Sequence, residues 1–189
     1  MRSQSFLLQI AHSISTLFHP LVLILTLTAL IGGQIRSSAI LGLRDAVILT
    51  LCLFPGLLYL LVTKRNGYAV RYHQVVLPLM LLGLVVAFFI YSTIGTPGSA
   101  LRGLAIALVV GVGATIIDRF WNMSFHASIA MSCAALLIPF SPYQTLVVAI
   151  IGIVVGIARV PIKQHTIWQV LTGWFYGFGV TAVLVIIFM

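Results

Sequence analysis

The chain has 189 residues, of which 61% are hydrophobic and only 6% charged, and its mean hydropathy is +1.21, whereas a soluble domain carries charge on roughly a quarter of its residues. Ten lysines and arginines stand against two acids, Asp45 and Asp118, for a net charge of +8. That imbalance is a shortage of acids more than a wealth of bases, so it argues against nucleic acid as a partner and for anionic lipid head groups or a phosphorylated ligand. It also argues against enzymes that hold magnesium on aspartate-rich motifs. Cys52 and Cys133 each lie inside an apolar run and give neither a disulfide framework nor metal-ligand spacing.

The expected fold is all-α: one integral membrane domain over residues 1–189, a polytopic helix bundle of about seven spans. A spanning helix needs roughly 20 mainly apolar residues. The first span is expected at 15–32, after a short tail carrying Arg2 and His12, with the His19-Pro20 pair near its start; it reads as an uncleaved anchor. Spans follow at 46–62, 75–92 and 101–117, separated by the segment 64–71 and by the turn Gly95-Thr96-Pro97-Gly98. Two shorter ones, 124–138 and 143–158, form a hairpin about Pro139-Phe140-Ser141-Pro142, and a last helix covers 166–188. Counting crossings puts the segments 64–71, 118–126 and 159–169 on one face, the one that also carries the N-terminal tail. Arg2, Lys64, Arg65, Arg71, Arg119, Arg159 and Lys163 all fall on that face, which the positive-inside rule makes cytoplasmic.

Three polar clusters stand out on that face. Lys64 and Arg71 are seven residues apart, nearly two helical turns, so on a helix both cations would point one way and could converge on an anion; ordinary juxtamembrane charge explains them as well. Ser124 and His126 open a span, where a helix N-terminus offers unpaired amides to an anion and these side chains add a hydroxyl and a titratable proton. In the third cluster His165 and Gln169 are one turn apart, so in a helix Gln169 can hydrogen-bond His165 and fix its tautomer, and Arg159 lies six residues upstream across a proline bend. An arginine and a histidine at a membrane boundary can also simply snorkel.

Together the clusters resemble the type 2 phosphatidic acid phosphatase superfamily, membrane relatives of the vanadium haloperoxidases. That family carries Lys-x6-Arg-Pro, Pro-Ser-Gly-His and Ser-Arg-x5-His-x3-Asp, and this chain has Lys64-x6-Arg71-Tyr72, Met123-Ser124-Phe125-His126 and Ala158-Arg159-x5-His165-x3-Gln169. The resemblance covers residues 64–173 and extends to an early histidine-proline pair, like His19-Pro20, found in small bacterial members. It implies a six-span phosphatase-like arrangement, a bacterial inner membrane location, and metal-free dephosphorylation of a phosphorylated lipid or isoprenoid through a phosphohistidine. His165 would be the nucleophile and His126 the general acid, with Gln169 beside the nucleophile and Lys64, Arg71, Ser124 and Arg159 holding the phosphate oxygens. No cofactor is implied.

Three departures are specific. Gln169 replaces the aspartate that would stabilise an imidazolium by charge, Phe125 replaces a glycine where backbone would approach phosphate, and Tyr72 replaces the first motif's proline. They leave a second reading from another class, a catalytically inactive phosphatase-like protein that binds lipid or serves as a structural subunit among other membrane proteins. Glycines such as Gly152, Gly156, Gly173 and Gly177 would let helices approach closely in either case.

Overall fold

A computed structural model describes residues 2–65 and 75–189, apart from the side chains at 2–7, 16, 20, 36, 60 and 63–65. All regular structure among the described residues is helical: α1 (Arg2–Leu17), α2 (Pro20–Arg36), α3 (Ala39–Arg65), α4 (Leu77–Thr93), α5 (Gly98–Asp118), α6 (Phe125–Leu136), α7 (Pro142–Ala158) and α8 (Ile167–Phe188). Three stretches, Ala39–Tyr59, Gly98–Asp118 and Ile167–Phe188, are long and apolar enough to cross a membrane, and four further apolar helices are shorter. The outward faces are apolar too, with Ile40, Leu51, Phe89, Leu146, Phe175 and Ile186 all exposed. Helices of a water-soluble bundle turn charged faces outward.

Two boundaries differ from the sequence reading. The expected tail is the helix α1, which a hydropathy scan overlooks because Ser, Gln and His interrupt its apolar residues. The chain then breaks at His19, whose side chain takes the capping role: its Nδ1 accepts from the Leu21 N–H at 3.3 Å, and Pro20 occupies the first helical position, where its missing N–H costs nothing. The span expected at 46–62 is longer than that: α3 begins at Ala39, seven residues earlier, and runs through Pro55 without stopping. One lost i→i−4 bond is outweighed there by a long apolar run on both sides.

The chain forms two compact units, one of Met1–Leu27 with Phe120–Met189 and one of Thr28–Arg119. In the second, α4 packs between α3 and α5. Gly83 lies against the Cys52 and Leu53 backbone, the Tyr91 hydroxyl donates to the Asp45 carbonyl, and the buried Asp45 carboxylate pairs with Arg44 at 3.1 Å. α4 ends in a Schellman-type turn, with Gly95 at φ +69° and the Thr96 N–H donating to the Tyr91 carbonyl at 3.2 Å.

The first unit is organised around α6, a short helix whose buried face is nearly all alanine: Ala127, Ala130, Ala134 and Ala135, with Ser128 and Cys133. Small side chains let α7 and the whole length of α8 close on it. The turn into α7 is set by Ser141, whose hydroxyl accepts from the Gln144 N–H at 3.3 Å, followed by Pro142. Trp174 on α8 locks the opposite contact: its Nε1–H donates to the Gly152 carbonyl at 3.0 Å, and its indole covers Gly156 so closely that a Cβ there would sit 2.5 Å from the Nε1. α8 contains a π-helical turn at Tyr176–Val180.

Gly156→Ala should therefore lower the thermal midpoint of the detergent-solubilised protein by about 2–10 °C, because the indole cannot retreat without breaking its bond. Gly103→Ala, where an added Cβ meets nothing within 4 Å, should leave the midpoint unchanged or raise it. Thermal unfolding of the two variants beside the parent checks both.

Candidate functional site

The site is built where the N-terminal ends of α6 and α8 meet. Gly173 makes the meeting possible: a Cβ there would lie 2.7 Å from the Ser124 carbonyl and 3.3 Å from the Ser128 amide, so only glycine lets α8 lie directly on the first turn of α6. The backbone closes the contact, with the Ser124 N–H donating to the Gln169 carbonyl at 3.1 Å. One turn further on, the Ser132 hydroxyl donates to the Gly177 carbonyl at 3.1 Å.

Ser124 is the N-terminal flanking residue of α6, in extended conformation, yet its side chain makes no capping hydrogen bond. The hydroxyl is fully buried and has no hydrogen-bond partner among the described residues. A buried hydroxyl left unsatisfied costs roughly 1–3 kcal/mol. Here it lies at a helix N-terminus, where the first amides and the helix dipole favour a negative group.

Arg159 and His165, six residues apart in sequence, are brought together by the loop between α7 and α8. The Arg159 carbonyl accepts from the Gln164 N–H at 3.2 Å and from the His165 N–H at 3.4 Å. The loop reverses so tightly because Lys163 takes a left-handed conformation, φ 56°. Arg159 itself closes α7 as its C-cap, which places a cation against the negative end of that helix. Its Nη1 donates to the hydroxyl of Ser15, a buried residue of α1.

His126, in the first turn of α6, is the centre of this arrangement. Its ring meets the ring of His19 edge to face, with centroids 5.4 Å apart and planes at 84°. Arg159, His19 and His165 all lie within electrostatic reach of His126. The unit that holds this cluster contains Arg2, Arg159 and Lys163 but no aspartate or glutamate, since both acids of the chain belong to the other unit.

Ser124, His126, Arg159 and His165, each expected from sequence to serve the site, thus belong to one compact unit, and contacts or electrostatic reach connect them. Gln169 is present in a different capacity. α8 starts at Ile167, so His165 precedes the helix, and the Gln169 Oε1 accepts from the Thr166 N–H at 2.9 Å while the Thr166 hydroxyl accepts from the Gln169 N–H at 3.3 Å. This reciprocal capping box fixes the start of α8. Lys64 lies in the last turn of α3 with its side chain outside the described residues, as is the whole of Arg71. Phe125 and its half-buried side chain occupy the first position of α6. Among the described residues no group of three His, Cys, Asp or Glu side chains is placed to hold a metal ion.

Two contributors, Ser15 and His19, were not among the residues expected from the motifs. The His19-Pro20 pair was a signal for a break in the chain, since proline favours the first position of a helix. What no spacing could reveal is which side chains, more than a hundred residues later, they would meet.

Removing the cap by Thr166→Ala should cost about 1 kcal/mol and speed amide exchange across the first turn of α8 about fivefold. Gln169→Glu, which retains an acceptor at the same place, should leave exchange unchanged, as mass spectrometry of the two variants would reveal. No family model, no curated protein and no solved structure matches this chain.

Proposed function

We propose that this protein is a membrane-embedded, metal-independent phosphatase acting on a phosphorylated lipid or isoprenoid, of the kind the three motifs resemble, with its helices arranged as about seven spans. The observation that carries the reading is the buried Ser124 hydroxyl at the N-terminus of α6, which has no hydrogen-bond partner among the described residues and lies two residues from His126, itself within electrostatic reach of Arg159 and His165. A phosphate oxygen supplies what Ser124 lacks, and its charge suits the cationic neighbours.

On this reading a nitrogen of His165 attacks phosphorus, and the bond from phosphorus to the lipid oxygen breaks. The bound phosphate's negative charge lets His126 take up a proton from solvent, and the imidazolium gives that proton to the departing alkoxide, while Arg159, Ser124 and the α6 amides hold the remaining oxygens as charge builds on them. Water then attacks the phosphohistidine, passes a proton back to His126 and releases inorganic phosphate as the phosphorus–nitrogen bond breaks. The capping box of Gln169 supports the reading indirectly, because it holds the chain immediately after His165 without requiring a carboxylate. The absent aspartate still removes a charge that would steady an imidazolium, so turnover should be slow.

The test is phosphate release in EDTA by purified protein from phosphatidic acid, isoprenyl phosphates and isoprenyl diphosphates. Release should survive chelation and fall by at least about 10³-fold in His165→Ala. Release equal to that of His165→Ala on every substrate would overturn the enzymatic reading and leave an anion-binding scaffold.

A further inference from the structure

We propose that the corner between α1 and α2 is a working wall of this site, with Ser15 as the positioning residue for Arg159 and His19 as the positioning residue for His126. The inference rests on the phosphatase reading for its kinetic consequences but not for its geometry.

Ser15 lies in the last turn of α1, buried, with its hydroxyl accepting from Nη1 of Arg159. An arginine side chain has several rotatable bonds, and a guanidinium that is to meet phosphate oxygens gains affinity when its plane is set beforehand. Because α1 packs on α7 and Arg159 is the last residue of α7's cap, the tie joins two elements that the motifs alone do not connect.

His19 acts on the other half of the site. Its Nδ1 is engaged as an acceptor by the Leu21 N–H, so the neutral ring carries its proton on Nε2 and its orientation is set by the start of α2. That fixed ring meets His126 at right angles. A proton donor must hold its nitrogen toward the leaving oxygen, and an imidazole otherwise turns freely about its second side-chain torsion. The ring of His19 removes that freedom. Capping and ring contact can be separated, since asparagine retains a cap acceptor and loses the ring.

The experiment uses the full chain in detergent as the parent and as Ser15→Ala, Ser15→Thr and His19→Asn. Ser15→Ala should raise KM for the best phosphorylated lipid about tenfold with kcat little changed, and Ser15→Thr should recover it; His19→Asn should lower kcat about 10–100-fold with KM little changed. Imidazole nitrogen spectra of histidine-labelled protein, with the His126 signal identified by its loss in His126→Gln, should show the tautomer of His126 altered in His19→Asn and unaltered in Ser15→Ala. Equal losses of kcat and folded yield in both variants, or a His126 spectrum untouched in His19→Asn, would overturn the proposal. If the parent releases no more phosphate than His165→Ala, the phosphatase reading fails, and the His126 spectrum alone then decides whether His19 positions that ring.

Discussion

The hydrogen bond from the Ser124 amide to the Gln169 carbonyl, made possible by the bare Cα of Gly173, is the constraint on which the rest of the site depends. It holds two helix N-termini together, and each brings its own polar residues with it. From α6 come the buried hydroxyl of Ser124 and the ring of His126; from the approach to α8 comes His165. Helix N-termini carry partial positive charge, and at α6 the Ser124 side chain makes no cap, so the junction favours an anion before any charged side chain is considered. Arg159, at the end of α7, adds a full charge within reach of His126.

Much of this was legible in the sequence, and the reasons are physical. An apolar run has no other home than a membrane or a large core, so the expected spans from α4 onward fall within about three residues of the helices, whereas α3 starts seven residues earlier than expected. Gly-Pro turns and the Ser141-Pro142 pair marked the ends because their backbone preferences leave few alternatives. Spacing and the count of crossings put the segments that hold Ser124, His126, Arg159 and His165 on one face, and the structure places these four residues in one compact unit.

Other features were not legible. α1 is too polar for a hydropathy scan, which reads it as a tail. The pair His165 and Gln169 has helical spacing, yet the helix begins between them, because Thr166 offers a hydroxyl that makes a better boundary than a continued turn. Periodicity measures distance along a helix and says nothing about where the helix starts. The meetings of Ser15 with Arg159 and of His19 with His126 are long-range contacts, decided by how α1 packs on α7 and by where α2 departs. One sequence holds no direct record of either.

The π turn of α8 has a consequence for how the helix keeps its face to α6. Gly173, Gly177, Thr181 and Val185 are all buried at intervals of four residues, and in a regular α-helix each such step would carry the stripe about 40° further round the axis. A wider turn takes up one extra residue and cancels much of that drift. The Tyr176–Val180 segment is thus a register device: one residue could be lost from it, returning the backbone to ordinary α-helix, without rotating the distal half of α8 away from its neighbour.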